Sequence, residues 1–262
     1  MKLGCCTTID HYQDVVSAGF DYIELPGNAL AAIPEETFAE WRSVIAAGAL
    51  PCPALNAAIA PEIKICGPHF SAPQVKDYLE RLCRRAAQLG VKRIGIGSPK
   101  SREVPEGFSV EEAWRQAETF LTIAYEAAKP YGIGMLWEPL NLSETSFGVD
   151  TLESLAHVRA LNAAGVQIGM VGDLYHTAYK GEGPDVLRQA LDMIGHVHIA
   201  SVKDGHRGYP IDADAAVMLP LLAVCREKPE LQLLSAEVFS GEIGTDGKAY
   251  LARVRAWLET EV

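Results

Sequence analysis

This chain is short of positive charge, of long apolar runs, of patterned cysteine and of phosphate-type glycine turns. Its 23 lysines and arginines stand against 34 acidic residues, for a formal net charge of −11. A phosphate backbone needs a positive face, so the balance argues against a nucleic-acid ligand. The pairs Arg84-Arg85 and Lys92-Arg93 read as solvated helix and loop ends. No run approaches the roughly 20 apolar residues of a membrane span, so no membrane partner is expected. The first residues, Met1-Lys2-Leu3-Gly4-Cys5-Cys6, lack a signal-peptide apolar region, and a cytoplasmic location is the expectation. The six cysteines (Cys5, Cys6, Cys52, Cys66, Cys83, Cys225) form no C-x-x-C pattern and are too sparse for a disulfide scaffold. They read as buried reduced thiols. The adjacent Cys5-Cys6 pair is of a kind a soft metal takes, but no second pair accompanies it. The first strand candidate runs into Thr7-Thr8-Ile9-Asp10-His11, with no glycine-rich turn, and Gly95-Ile96-Gly97 lacks a third glycine. That argues against an open dinucleotide-binding sheet.

What is present is an ordinary globular composition, 48% hydrophobic and 22% charged, in 262 residues. Such a length can bury a full core without staples. Short apolar runs alternate with helical periodicity from end to end. The strand candidates are Leu3–Thr7, Tyr22–Leu25, Cys52–Asn56, Arg93–Gly97, Ile133–Trp137, Val166–Val171, Ile194–Ile199 and Leu231–Ala236. Helices are expected at Tyr12–Ala18, Pro34–Ala46, Val75–Leu89, Val110–Lys129, Leu152–Leu161, Val186–Met193, Ala215–Cys225 and Tyr250–Leu258. Pro34 followed by two glutamates is a good helix start. Strands alternating with helices imply a parallel sheet, and eight such units are the size of a closed (β/α)8 TIM barrel, an α/β fold. No low-complexity linker interrupts it, so residues 1–262 read as a single TIM-barrel domain.

A parallel barrel carries its chemistry at the C-terminal ends of its strands. Glu138, Asp173, His198 and Glu237 stand there on the fifth to eighth strands. Three carboxylates and an imidazole form a hard, oxygen-rich set suited to one divalent ion, Mn²⁺ first, with Mg²⁺ or Co²⁺ as alternatives. His196 and His198 share a face of one strand. His198 is nearer the end and is the ligand candidate, and His196 is a core histidine or a donor behind it. Trp137 should point away from the barrel axis. His176 lies three residues past Asp173 and reads as a substrate hydrogen-bond donor. Asn141 and Glu144 lie in the loop over the pocket, and Arg207 in the loop after the seventh strand, where a cation can hold a sugar hydroxyl or a phosphate. His11, His69 and His157 receive no role. The short loop after the first strand suggests a modest lid and a small substrate.

These strings together resemble the xylose-isomerase-like sugar isomerase/epimerase superfamily, in element order over the whole chain and in motif over the fifth to eighth strands. Glu138-x-x-Asn141-x-x-Glu144, Asp173-x-x-His176 and His196-x-His198 are similar to ketose 3-epimerase motifs. In those epimerases the strand-seven histidine is followed by a Gly-Glu pair and an arginine. Here Ile199-Ala200-Ser201 follows, nearer the hydroxypyruvate-isomerase type, and Arg207 comes later. The resemblance implies an enzyme in which Glu138, Asp173, His198 and Glu237 ligate the metal and Glu138 and Glu237 are the acid/base pair. It also implies that His176, Glu144 and an arginine after the seventh strand, here Arg207, meet the substrate, and Asn141 in the same loop is a further substrate-binding candidate. The reaction implied is a metal-dependent proton shift next to the carbonyl of a sugar or sugar-like acid, through an enediolate. Two alternatives stay open. One is a metal-dependent dehydratase or lyase acting on inososes, dehydroshikimate or, with a partner subunit, a C-glycoside. The other is a non-catalytic sugar-binding barrel. Barrels of this superfamily often pair, which implies a homo-dimer or tetramer.

Overall fold

The computed structural model describes residues 1–260. Eight parallel strands follow one another around a closed barrel: β1 (Lys2–Cys6), β2 (Tyr22–Pro26), β3 (Ala54–Asn56), β4 (Arg93–Ile96), β5 (Gly134–Trp137), β6 (Ile168–Asp173), β7 (Ile194–Ile199) and β8 (Leu233–Ala236). The expected barrel is the one observed. β1 closes on β8, with Cys5 opposite Ala236. Among the described residues ten α-helices cover it: α1 (Tyr12–Ala18), α2 (Gly27–Ala32), α3 (Glu35–Ala47), α4 (Ala72–Gln88), α5 (Val110–Ala128), α6 (Thr151–Ala163), α7 (Leu174–Tyr179), α8 (Pro184–Ala190), α9 (Ala215–Arg226) and α10 (Lys248–Glu259). None of the described helices is long and apolar enough to cross a membrane.

The helices begin where capping chemistry allows. Ser109 accepts from the Glu112 amide at the start of α5, and Asp150 from the Glu153 amide at the start of α6. The amphipathic α4 buries Val75, Leu79, Leu82, Cys83 and Ala86 against the sheet and its neighbours. Two short helices, α2 and α7, stand where the sequence reads as loop. The expected solvation of Arg85 is also corrected. Its buried guanidinium donates to the carbonyls of Leu30 and Ile33 and to Glu35 Oε1. That satisfies the exposed carbonyl end of α2, a C-terminal position that favours a cation.

Two layers of packing hold the barrel. Outward-facing strand residues such as Val197, Leu234 and Ala236 meet the helices, and inward-facing ones fill the axis. Leu136 fills the bottom of the axis between Gly169 and Gly195. Above it the Tyr22 ring lies over Gly4, where a Cβ would collide with it. β6 and β7 shift register between Met170 and Val171, which brings Asp173 opposite His198 at the mouth.

Candidate metal and active site

β5 ends by splitting its last two side chains. Trp137 turns outward, as expected, is fully buried beside Trp114 and Phe147, and donates its indole N–H to Ser154 on α6 at 3.2 Å. Glu138 therefore turns inward. Gly97, just past β4, leaves room for it, since a Cβ there would collide with Glu138 Oε2. Arg102 lies 4.3 Å over the Trp137 ring and donates to the Glu138 carbonyl oxygen at 2.6 Å. The strand end is thus held from both sides.

Glu138, Asp173, His198 and Glu237 each bring one donor atom into a group whose members lie within 4.8 Å of one another. His198 Nδ1 is 3.1 Å from Glu138 Oε1 and 3.5 Å from Glu237 Oε2. Asn56 donates to the other oxygen of Glu237 at 2.8 Å. Asp173 does two jobs. One oxygen caps α7 by accepting the Tyr175 amide at 2.7 Å, and the other faces the site. Three buried or nearly buried carboxylates and one imidazole at this spacing fit a single hard divalent ion.

Arg207 is more central than its place in sequence indicates. Its Nη2 donates to Asp173 Oδ2 at 3.0 Å and to Glu237 Oε2 at 2.6 Å, and its Nη1 to Glu144 Oε1 at 2.6 Å. The guanidinium lies 4.5 Å from both the Tyr175 and the Phe239 ring. Its backbone has φ +52°, a left-handed geometry that a non-glycine residue holds only when its surroundings fix it. One cation thus neutralises two of the candidate ligands and an acid above them.

Burial pushes the Glu138 carboxyl up to about 7, and the charge of Glu237 adds to it. Burial would raise Asp173 as well, but His176 and Arg207 outweigh it and hold it low. Burial would push His198 down. The carboxylates of Glu237 and Glu24 win, and it is held well above the usual histidine range.

His176 and Asn141 are placed by a hydrogen-bond relay. Asn141 Oδ1 accepts from the Ser143 amide at 2.8 Å, which turns its NH₂ group toward His176 Nδ1 at 2.8 Å. His176 Nδ1 is then the acceptor, and its Nε2 carries the proton. Nε2 is buried without a hydrogen-bond partner, 3.4 Å from Asp173 Oδ2. Burial lowers the His176 pKa to about 4, so the ring is neutral near pH 7. All eight residues singled out in the sequence (Glu138, Asp173, His198, Glu237, His176, Asn141, Glu144, Arg207) meet in this one region.

Sequence reasoning missed Glu24. It is fully buried on β2 and accepts from His196 Nε2 at 2.7 Å and from His198 Nε2 at 3.0 Å. Ser235 also donates to it and accepts in turn from the Tyr22 hydroxyl at 2.8 Å. His196 is therefore a partnered interior histidine. Holding Nε2–H of His198 leaves Nδ1 as the face turned to the site. The available signal was one acid within the apolar run Tyr22-Ile23-Glu24-Leu25.

A family model described as xylose isomerase-like TIM barrel matches residues 12–259. A comparison with curated proteins gives no match. Among solved structures, a D-psicose 3-epimerase in the presence of D-fructose is similar with TM-score 0.80 and 17% identity, covering 99% of this chain and 100% of that one. The 3-keto-D-glucoside 4-epimerase YcjR from E. coli is similar with TM-score 0.74 and 19% identity, over 98% of this chain and 99% of that one. An IOLI protein with a binding zinc atom gives TM-score 0.67 and 19% identity, over 98% and 96%. At these identities the likeness is one of fold.

Proposed function

The chain belongs to the xylose isomerase-like TIM barrel family, and on that premise we propose that it is a divalent-metal-dependent isomerase or epimerase of a small sugar or sugar-like acid. The observation that carries the reading is the convergence of Glu138, Asp173, His198 and Glu237 from four consecutive strand ends. The solved relatives support the substrate class, since their names are those of sugar epimerases.

These four residues would hold the ion, Mn²⁺ in our reading. When bound, it supplies Lewis acidity that polarises a carbonyl and stabilises negative charge on its oxygen. The chain's own residues do the rest. Glu138 takes a proton from the carbon next to the carbonyl, and Glu237 returns one. A bound cation favours the ionised carboxylate, which keeps Glu138 ready to accept that proton as a general base must. If the two carboxylates face each other across the substrate, one carbon epimerises. If one group carries the proton between neighbouring carbons, the product is an isomer. The unpaired Nε2–H of His176 donates to a substrate oxygen, and its neutral form keeps that proton fixed. Glu144 and Arg207 bind hydroxyls at the rim, with Asn141 fixing His176 from behind. A single domain over residues 1–262, a homo-dimer or tetramer, and a cytoplasmic location belong to the same proposal. Proteolysis and sedimentation test the first two.

The direct test is to incubate Mn²⁺-loaded protein with a panel of ketoses, sugar phosphates and inososes and to identify products by chromatography and mass. An epimer or isomer of unchanged mass is expected. A product lighter by one water would replace this reading with a dehydratase. Binding without any product would replace it with a sugar-binding barrel.

A further inference from the structure

Cys6 is used neither by the fold's packing nor by the proposed reaction. β1 alternates its faces. Cys5 is fully buried toward the helices, with Sγ 3.6 Å from the Tyr209 hydroxyl. Cys6 therefore projects to the barrel mouth, where it is half-buried. Because β1 closes on β8 with Cys5 opposite Ala236, Cys6 and Glu237 are neighbours across the seam. The Cys6 thiol, a ring nitrogen of His198 and a carboxylate oxygen of Glu237 lie within 4.8 Å of one another. Two ligand sets thus share His198 and Glu237 and differ in hardness.

We propose that Cys6 is a conditional metal ligand: a hard ion is held by Glu138, Asp173, His198 and Glu237, whereas a soft or borderline ion is drawn onto Cys6, His198 and Glu237. The inference rests on the metal-centre reading above. Thiolate selects zinc-like and softer ions, while carboxylates suit Mg²⁺ and Mn²⁺. Three protein ligands with an open position are also a sufficient set for zinc. Arg207 adds a second reason. The hard set takes both Asp173 and Glu237 from its guanidinium, whereas the soft set takes only Glu237 and leaves Asp173 and Glu144 in place. On coordination the S–H bond breaks, the sulfur lone pair forms the metal bond, and the proton passes to solvent, with no change of oxidation state.

The test uses the full chain, Co²⁺ alone as the probe, and Cys6→Ser beside the parent protein. The parent should show visible ligand-field bands and a near-ultraviolet sulfur-to-cobalt charge-transfer band. Cys6→Ser should keep the first and lose the second. Its Zn²⁺ affinity should fall by roughly tenfold or more, with Mn²⁺ affinity unchanged. Visible bands without the charge-transfer band in the parent overturn the role of Cys6 and leave the metal centre standing. No bound cobalt in either protein overturns the metal centre itself. Should Cys6→Ser not fold, alkylation of Cys6 in the parent, mapped by mass, decides the matter. Protection by Cd²⁺ but not by Mg²⁺ is the expected result, and equal labelling with both overturns it.

Discussion

Glu138 shows how one carboxyl ties stability to chemistry. In the folded protein without metal its pKa is pushed up to about 7, against 4.5 for an ordinary glutamate. Between those values the unfolded chain gives up its proton and the folded one keeps it. The group therefore costs no stability below the lower value, and stability is lost as pH rises through the higher one. The loss comes to about 3 kcal/mol. Glu138→Gln should accordingly stabilise the metal-free protein by about 1–3 kcal/mol at pH 8 in thermal unfolding. The same change should cut turnover by roughly a thousandfold. An active variant, or one less stable than the parent at pH 8, would contradict this account of Glu138. Arg207 acts in the opposite sense. Arg207→Ala leaves Asp173, Glu237 and Glu144 without their shared cation. Removing one partner of a buried ion pair costs about 3–5 kcal/mol. Melting temperatures should show a large deficit in metal-free protein and a smaller one with Mn²⁺. An equal deficit in both conditions would mean that Arg207 and the ion do not answer the same charges.

At the scale of elements, Gly97 gives the sharpest expectation. Its backbone does not need glycine's left-handed freedom, since it is absent from the positive-φ residues, but its missing Cβ makes room for the Glu138 carboxylate. Gly97→Ala should displace that carboxylate and lower kcat by roughly a hundredfold. Its urea midpoint should change little, because the colliding atom is the end of a side chain. A lost fold with normal residual kcat would reverse that assignment. The elements also show what was legible in the sequence. All eight strands fall within two residues of their expected starts, because each is an apolar run bounded by turn residues. β6 runs two residues further than expected because Gly172 continues the pleat up to Asp173. α7 escaped because its cap is Asp173, a residue read for its charge and not as a helix start. The five-to-eight strand ligands were legible because each stands at, or just past, the C-terminal end of an apolar run. Glu24 was not, because its partner His196 is 172 residues away and only barrel closure brings them together.

At the scale of the whole molecule, barrel closure gathers Glu138, Asp173, Glu237 and Glu144 from separate parts of the chain into one acidic mouth balanced by Arg207. An ion entering there must find Glu138 ionised. Metal affinity should therefore go on rising with pH through and beyond about 7, because both Glu138 and His198 Nδ1 must give up a proton, and binding near neutral pH should release protons. Titration calorimetry in buffers of different ionisation heat reads both. An affinity independent of pH would mean that Glu138 is not a ligand. The proposed chemistry removes a proton from carbon at this mouth, and proton NMR of a ketose turned over in D₂O by Mn²⁺-loaded protein reads that step. The predicted result is loss of a single C–H signal beside the carbonyl, absent after chelation and absent in Glu138→Gln. Full conversion of the sugar with every C–H signal retained would contradict it.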